Sequence, residues 1–278
     1  MPASSANLGP GFDTLALALA LYVEVTVEPA DALTVVTEGE GADLPRDASH
    51  LAARVAVDVA GHDRLRVSVK SDIPVSRGLG SSAALAAAAA AAAGAGDPLA
   101  IAAAVDGHPE NAAASVLGGL VTATTVDGAP VAAQLSLDRS LAFVVVVPDR
   151  ILSTSEARAA LPTTVPHRDA AFNLGRMGLL LAGLADASLL VSAASEDRLH
   201  QRQRASLFPE ADMILRGLVD AGALMACWSG AGPTLLAVCR RAATDEVLAA
   251  GDRLLVAADV GGQVLTLAPD LDGLVVED

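Results

Sequence analysis

Gly78, Gly80, Ser81 and Ser82 fall together in RGLGSSAA, directly ahead of an alanine run whose only strong preference is helix. Glycines and hydroxyls opening onto a helix N-terminus leave backbone N–H groups unpaired at the positive end of the helix dipole, an arrangement that suits phosphate. The same residues would also serve as a plain glycine turn before a buried helix, so the anion has to be argued from the rest of the chain. A Walker loop needs a lysine directly after its second glycine. The one lysine here, Lys70, follows Val69. The spacing Gly78-Leu79-Gly80-Ser81-Ser82-Ala83 also satisfies the GxGxxA dinucleotide pattern, but the segment from Lys70 to Arg77, Pro74 included, separates it from the preceding strand. The acid that should then read a ribose would be Asp97, which stands in a helix-to-helix turn.

Composition narrows the classes further. The net charge of -15, from 18 Lys+Arg against 33 Asp+Glu, repels nucleic-acid phosphates and anionic membranes, and 2% aromatics leave almost no stacking surface for bases. No nucleic acid and no membrane partner is expected. Cys227 and Cys239 lie in no metal-binding or redox spacing, no cleavable leader precedes them, and a reducing cytoplasmic compartment fits them as buried apolar groups. The uncharged stretch from Gly78 to Gly96 is alanine and glycine rather than leucine or phenylalanine, so it reads as a buried helix and not a membrane span.

The elements that must position the glycine loop follow from periodicity. Met1 to Asp13 is dense in Ser, Asn, Gly and Pro and is expected to be an ordered loop. Leu15 to Val27 alternates as a long strand, Leu33 to Val36 is a short one, and Ser49 is placed to cap a helix that Gly61 ends. Leu65 to Val69 is a strand leading into the loop. Asp97-Pro98 starts a further helix reaching about Gly107, and Pro109 to Leu117 forms another. Strands follow at Leu120 to Val126, Val131 to Leu137 and Leu141 to Val147, the last a continuous apolar run. Helices are then predicted near Ser153 to Leu161, Arg168 to Leu184, Glu210 to Ala221 and Thr244 to Ala257, with strands at Leu224 to Trp228, Thr234 to Val238 and Gln263 to Leu267. This order predicts an α+β fold in two domains, residues 1–139 and 140–278, divided near Asp138 to Leu141.

Six segments in order carry a family resemblance. PASSANLGPGFD (Pro2 to Asp13), IPVSRGLGSSAA (Ile73 to Ala84) and WSGAGPT (Trp228 to Thr234) resemble the three motifs of the GHMP kinases, in particular the members that act on L-homoserine. GHPEN (Gly107 to Asn111), STSEAR (Ser153 to Arg158) and LHQRQR (Leu199 to Arg204) are similar to further segments of those enzymes, so the likeness spans nearly the whole chain. By contrast, Gly94-Ala95-Gly96-Asp97 matches the GAGD of ribokinase-like enzymes only locally, and helix capping accounts for it. The resemblance implies an N-terminal domain like the second domain of ribosomal protein S5, a ferredoxin-like C-terminal domain, and an active site in the cleft between them. It further implies ATP and Mg²⁺ as cofactors, phosphorylation of the side-chain hydroxyl of L-homoserine in threonine biosynthesis, and a homodimer. Family members usually carry a strand ahead of the first motif, which here opens the chain, so the expectation is either a misplaced start or a shortened edge of the first sheet.

Residue roles carried over from that resemblance are specific. Arg77, Gly78, Leu79, Gly80, Ser81, Ser82 and Ala83 would wrap the ATP phosphates, with Gly230 and Gly232 of the third motif approaching that loop. Ser82 and Asp106 would hold the metal, Asp106 standing where the family usually has glutamate. Asp13 would take the substrate ammonium, Arg158 and Arg204 would fork its carboxylate, and Asn7 and Asn111 would hold its hydroxyl, with His108 and Thr154 completing the shell. Asn111, His108 and Arg158 are the catalytic candidates. Because asparagine cannot accept a proton, transfer without a dedicated base is expected. The alternatives are another small-molecule GHMP kinase, of mevalonate or sugar type, against which the absence of lysine from the first motif argues, and a non-catalytic ATP-binding relative, which Asp106 and Glu110 in place of Glu and Asp would favour.

Overall fold

The computed structural model describes residues 1–277. Two sheets organise the chain. The first contains β1 (Pro2–Ala6), β2 (Leu15–Pro29), β3 (Thr34–Gly39), β4 (Leu65–Ser71), β5 (Leu120–Val126) and β6 (Ala129–Leu135), in the order β3-β4-β2-β5-β6, with β1 also paired to β2. Strand β2 is long enough to serve two partners in succession. Its first half pairs with β1 and β5, and its second half, from Val23 to Pro29, pairs with β4. Helices α1 (Leu51–Ala60), α2 (Ser81–Ala92), α3 (Pro98–Asp106) and α4 (Glu110–Leu117) belong to this half, α2 lying in contact with α1, α3, α4 and β2.

The second sheet holds β7 (Leu141–Pro148), β8 (Met225–Trp228), β9 (Leu235–Arg240) and β10 (Gly262–Leu267), in the antiparallel order β10-β7-β9-β8. Between these strands run α5 (Thr154–Ala159), α6 (His167–Ala185), α7 (Gln201–Arg204), α8 (Ala211–Asp220) and α9 (Thr244–Ala257). Strand, helices, two strands, helix and strand along the chain, with the strands in that spatial order, form the split βαβ arrangement expected for a ferredoxin-like domain. The last residues cross back to the first sheet, where Pro269 bridges Leu19 and Asp270 accepts from the backbone of Asp272 and Gly273.

Local chemistry explains most of these elements. Alternation along β2 puts Leu15, Leu17 and Leu19 into the core, and the unbroken apolar run of β7 is buried from Phe143 to Pro148. Helix α2 is buried along Ala83, Ala84 and Ala86 to Ala90, where the small side chains let neighbouring backbones approach. Asp97 caps α3 by accepting the Ala100 N–H at 3.0 Å, with Pro98 at the first helical position and Gly107 in the left-handed conformation at its end. No helix among the described residues is long and apolar enough to cross a membrane. Both cysteines are free and buried.

Two local expectations are corrected. Pro2 to Ala6 is a strand rather than a loop: Ser4 and Ser5, read as turn formers, are fully buried in β1 against β2. Ser49 does not cap α1. Its N–H and hydroxyl both turn to Asp47 Oδ1, and the helix begins after His50 with no side-chain cap.

Candidate active site

The loop between β4 and α2 is built into the structure by contacts with both other glycine-bearing motifs. Ser4 N–H donates to Leu79 O at 3.1 Å, Ser229 Oγ donates to Gly78 O at 2.7 Å, and Thr234 N–H donates to Arg77 O at 3.2 Å. Gly80, at φ 67°, has no room for a side chain, because a Cβ would collide with Ser4 Oγ and lie 3.1 Å from Asn111 Oδ1. Gly78 is equally confined, with Ser229 and Gly232 on the site a Cβ would need. Past this knot, α2 starts without a side-chain cap, and Ala84 N–H to Gly80 O is its first backbone bond. The N–H groups of Ser81, Ser82 and Ala83 therefore have no intrahelical acceptor.

A cavity of about 380 Å³ opens at this helix end. Of the residues assigned a role from the sequence, all line it except Arg77, Ala83 and Gly232. Arg77 runs back along its own loop, donating to Val75 O at 3.4 Å, Ala83 is buried inside the helix packing, and Gly232 sits behind Gly78 against the Trp228 ring. These three support the loop from outside the cavity.

Ser82 and Asp106 both line the cavity at the start of α2. Burial raises the Asp106 carboxyl above its usual range, an effect that the nearby Ser82 hydroxyl opposes. A hydroxyl and a carboxylate are hard oxygen donors beside unpaired helix N–H groups, a set that fits magnesium.

Beyond them lies a dense cluster of charge. Arg158 Nη2 and Nη1 donate to Asp13 Oδ1 and Oδ2 at 2.8 and 3.1 Å, a bidentate pair with both side chains about one-third exposed. His108 Nδ1 stands 2.7 Å from Oε1 of Glu110, a carboxylate only 1% exposed whose Oε2 has no partner among the described residues. Burial alone would pull His108 down, but the bond to Glu110 and its charge outweigh it, so the imidazole titrates above its ordinary value. Asp13, His108 and Glu110 come close enough to share an ion, although both Asp13 oxygens are already taken by Arg158.

The two asparagines are engaged differently. Asn7 is spent on the backbone, donating to Gly230 O at 2.9 Å and accepting Asp13 N–H at 3.0 Å, which ties the first motif to the third. Asn7 and Asp13 both hold positive φ, 70° and 52°, a region these two side chains tolerate better than most. Asn111 accepts from Ser4 Oγ at 2.9 Å through Oδ1, which leaves its amide nitrogen for the cavity. Thr154, exposed at the start of α5, completes this wall.

Arg204 is 2% exposed, and burial beside Arg158 lowers its guanidinium to about 10, still protonated at neutral pH. Its Nε donates to Ala157 O and its Nη1 to Gly230 O and His200 Nδ1. Both arginines lie over the Phe12 ring, at 5.7 Å for Arg158 and 5.5 Å for Arg204. Ser4, Phe12, Glu110 and His200 were not assigned roles from the sequence, since nothing in their spacing marks them. The far end of the cavity, lined by Thr37, Leu44, His50, Leu51 and Val69 from β3, α1, β4 and their connections, was likewise unforeseen.

Residues 46–119 match the model for the GHMP kinases N terminal domain, and residues 171–256 match that for the GHMP kinases C terminal domain. The homoserine kinase of Leifsonia xyli subsp. xyli is 39% identical over 99% of this chain and 90% of its own length. That of Rhodococcus opacus is 45% identical over 86% of this chain and 85% of its own. The crystal structure of homoserine kinase from Cytophaga hutchinsonii superposes with a TM-score of 0.85 at 25% identity, covering 98% of this chain and 94% of that one.

Proposed function

The chain belongs to the homoserine kinases of the GHMP kinase family, and we propose that it transfers the γ-phosphoryl group of ATP to the side-chain hydroxyl of L-homoserine, yielding O-phospho-L-homoserine for threonine biosynthesis. The observation that carries this reading is that one cavity is lined both by an uncapped helix N-terminus and by an Asp13, Arg158 and Arg204 cluster. Phosphates suit the first and a zwitterion suits the second.

In the reading we propose, the Gly78 to Ser82 loop and the first N–H groups of α2 hold the ATP phosphates, and the far end between β3, β4 and α1 is left for the nucleoside. Ser82 and Asp106 hold Mg²⁺, which supplies neutralising charge to the phosphates. The substrate displaces the internal ion pair: its ammonium takes Asp13, and its carboxylate takes Arg158 with the free Nη2 of Arg204. Asn111 then directs its amide nitrogen to the substrate hydroxyl, with Thr154 beside it. His108, whose pKa Glu110 raises, would face the transferring group as a charge rather than as a proton acceptor. The proton leaves to phosphate or solvent, since alignment and charge neutralisation carry most of the catalysis in phosphoryl transfer. Asn7 and Gly230 contribute by holding the first and third motifs together.

We also read residues 1–139 as the ATP-binding domain, residues 140–278 as the C-terminal domain, and the protein as a cytoplasmic homodimer, the compartment resting on its free buried thiols and acidic surface. The deciding assay is ADP release with Mg-ATP and L-homoserine, set against mevalonate and L-serine. Turnover with homoserine is expected, and its absence at any workable enzyme concentration would overturn the assignment.

A further inference from the structure

His200 lies outside the cavity lining, fully buried, yet it touches Arg204, the cavity arginine that forms no salt bridge to a described residue. Its Nε2 is 2.8 Å from Gly9 O, and a carbonyl oxygen can only accept, so Nε2 carries the proton. Nδ1 is then a bare lone pair, and it accepts from Arg204 Nη1 at 3.0 Å. A proton on Nδ1 would set two donors face to face. The ring is held from the other side by Phe12, stacked at 5.0 Å and 22°. Gly9 and Phe12 both belong to the first motif, so a residue near the start of α7 is clamped by a loop 191 positions earlier in the chain.

The consequence falls on Arg204. Three of its five N–H groups are pinned, by Ala157 O, Gly230 O and His200 Nδ1, and Nη2 makes no hydrogen bond to any described residue. Arg158 is held by a carboxylate that cancels its charge; Arg204 is held by three neutral acceptors that do not. We infer that His200, locked as its Nε2–H tautomer, is the positioning residue that aims the free Nη2 of Arg204 at the substrate carboxylate while leaving the guanidinium charge unspent. The charged groups near the imidazole are Asp197, Asp13, Arg204 and, through Arg204, Arg158; burial dominates over them and drops the His200 pKa to about 4, so the ring stays neutral through the working range.

This inference rests on the homoserine reading above, and its test separates the two. Steady-state kinetics of wild type, His200→Leu and His200→Gln would be compared on L-homoserine and on 3-aminopropan-1-ol, which is homoserine without its carboxylate. His200→Leu should raise KM for homoserine about ten- to a hundredfold, the range for losing a charged hydrogen bond, while leaving KM for ATP and for the amino alcohol unchanged. His200→Gln, whose amide can donate to Gly9 O and accept from Arg204, should recover most of that loss. Equal losses on both substrates, or an unaltered homoserine KM in folded His200→Leu, would overturn the inference. If the leucine variant fails to fold, nitrogen-15 NMR of the wild-type imidazole decides: Nε2 protonated and Nδ1 bare from pH 5 to 8 supports it, and a proton on Nδ1 overturns it. Wild-type protein inactive on homoserine would sink the substrate reading instead, and the same NMR readout would still decide whether His200 holds Arg204.

Discussion

Gly80 and Gly61 offer a controlled pair for testing how the glycine loop is held. Both are left-handed, at φ 67° and 74°, but a Cβ at Gly61 meets nothing within 4 Å, whereas one at Gly80 meets Ser4 Oγ and Asn111 Oδ1. Replacing either by alanine costs roughly 1–2 kcal/mol for the left-handed backbone. At Gly80 the new methyl must also push Ser4 aside and break its 2.9 Å bond to Asn111, adding about 0.5–1.5 kcal/mol. Gly80→Ala should therefore lose about 1.5–3.5 kcal/mol in all, each kcal/mol being worth roughly 2–4 °C in Tm. Activity should separate the two more sharply. Gly61→Ala should keep wild-type kcat/KM, because Gly61 lies at the far end of α1, while Gly80→Ala displaces Asn111 and the start of α2 and should lose at least about tenfold. Thermal unfolding and ADP-release kinetics on the two variants suffice. Equal Tm losses with equal kcat/KM would show that the crowding around Gly80 is not what fixes the loop.

Other outcomes follow from the same geometry. Asp106→Asn should raise the Mg²⁺ concentration for half-maximal activity, measured by titration at saturating ATP, whereas Asp106→Glu should not raise it. His108→Ala and Asn111→Ala should each lower kcat by about tenfold or more, and wild-type kcat in both would refute their roles. On the proposed role His108 serves as a cation whose pKa Glu110 raises, so activity should fall as pH rises through that raised value, and Glu110→Gln should move the alkaline limb of kcat to lower pH. Asp138, whose carboxylate accepts the N–H groups of Ala187 and Ser140, has its pKa lowered from 3.8 to about 2. A depressed folded-state pKa contributes stability above the unfolded value that is lost as pH falls through the folded one. Denaturant titrations between pH 4 and 2 should therefore show wild type losing an increment that Asp138→Asn lacks at every pH.

Much of this fold was legible because its signals are local. The period-two run of β2, the Asp97-Pro98 start of α3 and the Gly61 end of α1 are settled by residues within a few positions of one another. Strand β1 was hidden because serine chemistry looks like a turn until a neighbouring strand buries it. Ser49 failed as a cap because Asp47, two residues away, offered its hydroxyl and N–H a nearer acceptor. At the site, the lining residues contributed by the motifs could be gathered through resemblance, but those from β3, α1 and β4 could not, nor could the pairings. Asp13 lies 145 positions from Arg158, so no pattern along the chain reveals that they grip each other. Glu110 and His200 act through other side chains, and residues of that kind leave no trace in composition or spacing.

The Asp13–Arg158 pair gives the ligand-free cleft a property that a simple binding pocket lacks. Its opposite charges already satisfy each other through two hydrogen bonds, so on the proposed roles a ligand enters by exchange and not by addition. A carboxylate that captures Arg158 strands Asp13, and an amine that captures Asp13 strands Arg158. Acetate or methylammonium alone should therefore compete poorly, even at concentrations where each would occupy an isolated arginine or aspartate, because only a molecule carrying both charges at the right separation repays both halves of the broken pair.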